Sequence, residues 1–148
     1  MLPSPIQLRH MAYVGIKVWP RQLVEEESDG QLFDFNEVMI GEGIEVTLLP
    51  AEAGKDTVYA VKLHIQIKNE EGKLAPYDID IEVAGLFEID DKVKPEDRED
   101  MITINGCAVL YSAIRDQVLT LTSRSANGQL MLPTVNFIDR KKEKPPAA

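Results

Sequence analysis

The chain has 148 residues, 44% of them hydrophobic and 28% charged, which is typical of a single domain with its own core. Its 16 basic and 25 acidic side chains give a net charge of −9, which argues against general binding to nucleic acid or to anionic membranes. Because four of the basic residues lie within 139–148, residues 1–138 are more acidic still, with 12 basic and 23 acidic side chains. We expect one acidic domain over 1–138 and a basic, disordered tail over 139–148.

The cysteine content and the N-terminus bear on the cellular compartment. A single cysteine, Cys107, rules out an internal disulfide and favours a reducing compartment. No apolar stretch approaches the length of a membrane span, and residues 1–5 lack the charged and apolar regions of a signal peptide. We therefore expect a cytoplasmic protein that does not insert into a membrane.

The first predicted element is a strand over residues 5–19, in which most apolar side chains share one parity. Those residues are Ile6, Leu8, Ala12, Val14, Ile16 and Val18. The opposite parity is not cleanly polar, because Met11, Tyr13 and Trp19 lie on it. A connection that contains Phe33 and Phe35 leads to a second predicted strand at about 43–49.

The strongest pattern in the chain is a period-two alternation over residues 57–89, interrupted once by a polar turn. Apolar side chains alternate with polar ones on both sides of the turn, which predicts two half-buried antiparallel strands joined as a hairpin. The faces match only when partner numbers sum to an even value, such as His64 with Glu82 and Lys68 with Asp78.

After the hairpin, the apolar period changes to that of a helix. Pro95 and the acidic residues near it suit a helix N-terminus, and a main helix is predicted from about 105 to 124. One apolar stripe runs along this helix, formed by Cys107, Leu110, Tyr111, Ile114, Val118 and Leu121. Asn127 and Gly128 are expected to stop the helix, and residues 129–137 are apolar and extended. The order of elements predicts an α+β fold, a four-stranded antiparallel sheet with a long helix packed on one face.

No set of residues converges on a catalytic or metal site. The two histidines, His10 and His64, lie in predicted strands, where pairing with a neighbouring carboxylate is their ordinary role. Cys107 lies on the apolar stripe, where a free cysteine is usually a small buried hydrophobe. One cysteine and two scattered histidines make no zinc pattern, and no dinucleotide or nucleophile-elbow motif is present. We predict no catalysis, no metal and no cofactor.

The apolar residues outnumber what one sheet and one helix can cover. The surplus consists of Met11, Tyr13, Trp19, Phe33, Phe35, Met39, Leu49 and Leu86. Large exposed apolar patches mark oligomerisation or partner binding. These residues therefore either complete the core and subunit interfaces or line a groove for extended polypeptide, a role that aromatic and methionine side chains suit.

Several stretches, in order along the chain, resemble the SecB family of export chaperones. They are residues 85–89, the helix around Arg115 and Asp116, and residues 130–137. In that family a Gly-Ile/Leu-Phe strand end precedes a helix with Tyr-Ala-Arg-Glu, and a Leu-x-Leu-x-Pro-Val-Asn-Phe segment follows. The resemblance covers roughly residues 5–138. It implies a SecB-like fold, assembled as a homotetramer, a dimer of dimers with its helices between two sheets.

The resemblance also implies an ATP-independent holdase that binds unfolded polypeptides, typically preproteins, for delivery to the export translocase. The implied client groove draws on Met11, Tyr13, Trp19, Phe33, Phe35, Met39 and Tyr111. The oligomer interface is expected along the helix stripe, at Cys107, Leu110, Ile114, Val118 and Leu121. An acidic row, Asp78, Asp80 and Glu82, matches the sheet face on which the family docks its translocase motor SecA.

The chain departs from the family pattern at its end, where the basic stretch 140–146 stands in place of a second helix and an acidic tail. This departure weakens the expectation of translocase coupling more than that of client holding. Two alternatives stay open. One is a SecB-like chaperone dedicated to a toxin–antitoxin system, with an antitoxin as its partner. The other is a small-ligand-binding or purely structural oligomer whose apolar surplus is buried between subunits.

Overall fold

The computed structural model describes residues 1–24, 27 and 29–140. One antiparallel sheet in the order β1-β4-β3-β2 is built from β1 (Ile6–Pro20), β2 (Gly41–Leu48), β3 (Thr57–Ile67) and β4 (Tyr77–Ile89). The helical part consists of α1 (Pro95–Met101), a π-helical turn (Ile102–Gly106) and α2 (Cys107–Thr122). The predicted fold class is confirmed. Of the tail predicted as disordered, residues 141–148 lie outside the described residues.

Strands β3 and β4 form the predicted hairpin in the predicted register, with His64 opposite Glu82. One face of the sheet, the covered face, lies under the helix, and we name the other the bare face. The odd-numbered side chains of both strands are buried on the covered face, among them Val61, Leu63, Ile65, Ile79, Ile81, Val83 and Phe87. Apolar burial contributes about 25 cal/mol per Å², so this row is the main source of stability.

A continuous helical run from Pro95 to Thr122 packs on the covered face. Pro95 lies in the first turn as predicted, and the main helix predicted from about 105 to 124 corresponds to α2. The π turn at Ile102–Gly106, which joins α1 to α2, was not predicted. Helix and sheet approach closely at Gly85, where an added Cβ would lie 3.0 Å from Leu110 Cδ2, so a larger residue there would require the neighbouring side chains to shift.

Edge strand β1 deviates from the predicted single parity because two bulges interrupt its pairing with β4, one near Arg9 and one near Val14. Each bulge moves the following side chains to the other face. Met11 and Tyr13 therefore face the helix. Ala12, predicted within the apolar row, lies on the bare face instead.

Residues 128–137, which we name the terminal segment, run back along the helix in an extended form, as their apolar sequence predicted. Gly128 has a φ of 81°, a conformation that favours glycine and turns the chain. Leu130 and Leu132 are buried against the helix. The Leu130 amide donates to the Thr122 hydroxyl at 2.8 Å, which fixes the start of the segment.

Candidate functional site

An open groove of about 1140 Å³ lies between the helix, the terminal segment and the long connection that joins β1 to β2. This connection spans residues 21–40. The groove is lined by residues 29–37, Ile40, Arg115, Leu119 and most of 128–134. Parts of the chain that are distant in sequence thus meet around one open space.

One end of the connection is fixed by Asn127, just after the helix. Gly30 donates its amide to the Asn127 carbonyl at 2.7 Å. The Asn127 side-chain amide donates to the carbonyls of Arg21 and Pro76, at 2.7 Å each. An added Cβ at Gly30 would lie 2.8 Å from two carbonyl oxygens of the terminal segment. Glycine is therefore required where the connection approaches the terminal segment.

The other end of the connection is fixed by Lys73, in the turn between β3 and β4. The Lys73 backbone forms a parallel bridge with Val38, and its ammonium donates to the carbonyl oxygen of Asp34 at 2.5 Å. The same ammonium lies 4.9 Å from the centroid of the Phe33 ring. Phe33 in turn packs edge-on against Phe35, with 4.9 Å between ring centroids. These two rings form one wall of the groove.

The opposite wall is the terminal segment, which side-chain hydrogen bonds hold to the helix. Arg115 Nε donates to the Leu132 carbonyl at 3.0 Å, and the Tyr111 hydroxyl donates to the Pro133 carbonyl at 2.5 Å. Burial raises the pKa of Tyr111 to about 12, so the hydroxyl keeps its proton at neutral pH. Because side chains alternate along an extended segment, Leu132 is buried in the core while Met131 is exposed in the groove.

Apolar side chains in the groove are far more exposed than those in the core. Leu32 is 97% exposed and Met131 is 55% exposed, one on each wall. Phe33 and Phe35 are half-buried beside Leu32. The groove therefore offers apolar surface that the subunit itself does not cover.

The charged side chains of the groove are divided between its two sides. Asp29, Asp34 and Glu37 lie along the connection, and Arg115 on the helix is the one basic side chain among the described lining residues. These described residues include no serine, cysteine or histidine. The arrangement can bind an extended polypeptide, but it offers no nucleophile paired with a base.

Other classes of site find no support in the part of the chain that the structure describes. There, no three or more His, Cys, Asp or Glu side chains are placed to hold a metal ion. The described helices include none that is long and apolar enough to span a membrane. His10 lies beside Ala12 and Leu86 in a shallow, mostly apolar depression on the bare face.

Comparison with known protein families shows to which family the chain belongs. A sequence model of the family described as preprotein translocase subunit SecB matches residues 43–140, which is more than half of the chain. The chain belongs to the SecB family. Since SecB is a family of chaperones and not of enzymes, this chain has a chaperone role. A search of curated proteins gave no significant match.

Two solved structures share this SecB fold. A SecB-like chaperone of Mycobacterium tuberculosis, in complex with a ChAD peptide from the HigA1 antitoxin, matches with a TM-score of 0.51 and 20% identity. That match covers 88% of this chain and 90% of the other. A protein of unknown function from Streptococcus agalactiae matches with a TM-score of 0.60 and 16% identity, covering 87% of this chain and 97% of the other. At these identities the likeness shows the fold alone.

The residues predicted to form a single SecB client groove are dispersed in the structure. Phe33 and Phe35 lie in the groove. Tyr111 is buried beneath the terminal segment and supports the groove without lining it. Met11 and Tyr13 lie under the helix, where the Tyr13 hydroxyl donates to a helix carbonyl at 3.0 Å.

Two further predicted groove residues lie elsewhere. Met39 borders a neighbouring depression together with Glu70 and Glu71. Trp19 is 66% exposed and lies on the bare face opposite Asp78. The sheet itself therefore separates Trp19 from the groove.

Sequence reasoning missed the residues that complete the groove. They are Leu32, Ile40, Leu119, Met131 and Pro133. A signal was present for Met131, because it alternates with Leu130 and Leu132 in an extended stretch and so lies on the opposite side. The other residues come together only through the path of the connection, which no local pattern encodes.

The helix stripe predicted as the oligomer interface lies inside the subunit instead. Four residues of the stripe are fully buried against the sheet and have no surface left for a second subunit: Cys107, Leu110, Ile114 and Val118. Burial also raises the pKa of the Cys107 thiol to about 11. Of the predicted stripe, Leu121 keeps an exposed surface, at 42%.

The acidic row predicted as a docking face contacts polar and basic neighbours on the bare face. His64 Nε2 lies 2.5 Å from Asp80 Oδ1, and Lys62 Nζ lies 3.9 Å from a Glu82 oxygen. Asp78 accepts a side-chain hydrogen bond at 2.8 Å. The bare face therefore presents mixed charges at this row of the SecB sheet rather than a uniformly negative surface.

Proposed function

We propose that this chain is an ATP-independent holdase that binds extended, apolar segments of unfolded polypeptides in the groove. The observation that carries the proposal is the exposure of Leu32 and Met131 on opposite walls of one open space. Hydrogen bonds fix both walls to the sheet and the helix, at Asn127 on one side and at Arg115 on the other. A groove fixed in this way is present before a client arrives, which lowers the entropic cost of binding.

Holding a client in this groove needs no chemical step. Apolar area removed from water contributes about 25 cal/mol per Å², and covering a side chain such as Met131 contributes roughly 1.5–3 kcal/mol. A nucleotide is not required for a gain of this kind. The carboxylates of Asp29, Asp34 and Glu37 favour clients whose apolar residues are flanked by basic ones.

The proposal includes a cytoplasmic homotetramer, a dimer of dimers as in the family. It is supported by apolar side chains that remain exposed on β1 and on α2, namely Val14, Ile16, Trp19, Val109 and Leu121. A second subunit would cover such surface. Several grooves on one particle would raise the avidity for a long unfolded client without a tight individual site.

Delivery of preproteins to the export translocase, with SecA as partner, is the first duty we propose for this holdase. Membership of the SecB family supports it. The basic residues within 140–144 and the Lys62–Glu82 ion pair leave less net negative charge for docking the motor. Co-purification of preproteins and SecA with the chain from its own host is the expected result.

A dedicated chaperone of a toxin–antitoxin system is the second candidate function. The observation that favours it is the shared fold with the Mycobacterium tuberculosis chaperone, which was solved with an antitoxin peptide. In this case an antitoxin, rather than a range of preproteins, would co-purify with the chain. A toxin–antitoxin gene pair beside its gene would agree with that result.

The test of holding uses chemically unfolded rhodanese, diluted into buffer without nucleotide in the presence of the chain. We expect the wild type to suppress light scattering and Met131→Glu to lose most of this activity. Leu48→Glu is the matched control, because Leu48 is 59% exposed but lies at the far end of β2 from the groove. Absence of suppression by the wild type with several clients, or an equal loss in both variants, would contradict the proposal.

A further inference from the structure

Lys73 contacts the groove wall from outside the groove. It lies in the β3–β4 turn and is not among the lining residues, yet its ammonium contacts both the Asp34 carbonyl and the Phe33 ring. Its backbone amide also donates to the Glu37 carbonyl at 3.4 Å. Through these contacts one side chain reaches both the main chain and an aromatic ring of the connection.

The stretch that Lys73 contacts has no regular secondary structure, since residues 31–37 form neither a helix nor a strand. Leu32 and Glu37 adopt left-handed φ angles of 55° and 68°, which is unusual for residues other than glycine. Such conformations persist where surrounding contacts hold them. Phe33 and Phe35 pack partly buried against the core, and the Lys73 ammonium adds a contact on the Phe33 ring.

We propose that Lys73 is a positioning residue for client binding, which holds the Phe33 and Phe35 rings in the orientation that forms the groove wall. The inference rests on the proposed function of the groove. The ammonium holds the negative face of the Phe33 ring, and Phe33 packs edge-on against Phe35, so one contact fixes both rings. Without Lys73 the two aromatic residues remain, but the orientation of their rings is no longer fixed. Client binding then has to order the rings, at an entropic cost.

A simple charge effect is the competing explanation. Lys73 Nζ lies 3.9 Å from an Asp34 carboxylate oxygen, so its removal also changes the charge along the connection. Lys73→Met makes the connection more negative, so a charge effect alone predicts tighter binding of a basic client. Positioning predicts weaker binding of the same client, which distinguishes the two explanations.

The experiment measures the Kd of the full chain for fluorescently labelled, reduced and carboxamidomethylated lysozyme, a permanently unfolded probe. We expect Lys73→Met to weaken binding about tenfold, from the lost cation–π contact and charged hydrogen bond. Lys73→Arg keeps a cation and a donor and should restore binding to within about threefold. Lys55→Met is the matched control, because Lys55 is an exposed lysine that pairs with Glu52 far from the groove.

A double-mutant cycle separates positioning from general loss of stability. In a Phe33→Leu background the ring is absent, so Lys73→Met should weaken binding by no more than about threefold there. An equal effect of Lys73→Met in both backgrounds, or no effect in the wild type, would overturn the assignment of Lys73. If Met131→Glu also binds the probe as well as the wild type does, the result overturns the groove itself and not only the role of Lys73.

Discussion

The β3–β4 hairpin and the connection of residues 21–40 both carry large apolar side chains, but the hairpin buries them and the connection leaves them partly exposed. In the hairpin, Ile65 and Ile81 are sealed between the sheet and the helix. In the connection, Leu32 is almost fully exposed, and Phe33 and Phe35 are half-buried at the edge of a groove. The same type of residue therefore stabilises the fold in one region and is available to a partner in the other.

The difference arises from how each backbone is held. Paired strands satisfy their own hydrogen bonds and place every second side chain under the helix. Over residues 29–40 the connection has no such ladder and is held at a few points, at Gly30 and around Lys73. Its side chains cannot all reach the core, and those left outside form the apolar surface of the groove.

The largest expected effect comes from the core side of this comparison. Phe87 is fully buried under the helix, so Phe87→Ala should lower the free energy of unfolding by about 3–5 kcal/mol. Leu32→Ala removes an apolar side chain from the groove and should change that free energy by less than about 0.5 kcal/mol. Urea unfolding at fixed protein concentration measures both changes. Similar losses in the two variants would show that the connection carries stability as the hairpin does.

Substitution of Gly30, which anchors the connection to the terminal segment, should give the second-largest loss of stability. Gly30→Ala forces a Cβ against two carbonyl oxygens of the terminal segment, so we expect a loss of about 1–3 kcal/mol and weaker client binding. Gly15→Ala is the matched control, because no atom lies within 4 Å of its added Cβ. Urea unfolding and probe titration provide the two readouts. A Gly30→Ala chain that is as stable as Gly15→Ala would show that the anchor is not tight.

The buried thiol under the helix predicts a dependence of stability on alkaline pH. Burial raises the pKa of Cys107 from its ordinary 9.0 to about 11, so the thiol ionises first in the unfolded chain. Its contribution is complete below pH 9 and is lost as pH rises towards 11. In Cys107→Ala, the decline of the unfolding free energy over that interval should be smaller by about 1–2 kcal/mol. An unchanged decline would contradict the burial of this thiol.

The smallest effect on stability should accompany a clear effect on binding. Leu32→Ser leaves the fold unchanged because the side chain is exposed, but it removes apolar surface that a client covers. We expect the Kd for the unfolded lysozyme probe to rise about fivefold with no shift of the urea midpoint. Wild-type affinity in Leu32→Ser would remove this residue from the binding surface.

Local periodicity was enough to predict the hairpin, but not the faces of β1 or the π turn in the helix. The alternation over 57–89 determined the strands, their faces and the pairing of His64 with Glu82. In β1, two bulges reverse the parity twice, so Met11 and Ala12 exchanged their predicted faces. The main helix was predicted close to the bounds of α2, but the π turn between α1 and α2 was not, because no local pattern marks it.

The groove could be predicted only in part, for a related reason. Phe33 and Phe35 were identified because two large apolar residues in a connection are conspicuous in the sequence. Met131 and Leu119 become groove residues through packing between distant segments, and no local signal places them beside Phe33. Trp19 was assigned to the groove through its position in the family resemblance, whereas the register of β1 places it on the bare face.

Photo-crosslinking tests the central claim most directly. A photoreactive amino acid replaces Met131 in the groove or, as the control, Leu48 at the far end of β2, and the chain is irradiated with the unfolded lysozyme probe. If the groove holds the client, position 131 gives a strong crosslink and position 48 gives little. Equal crosslinking at both positions, or crosslinking at 48 alone, would contradict the account.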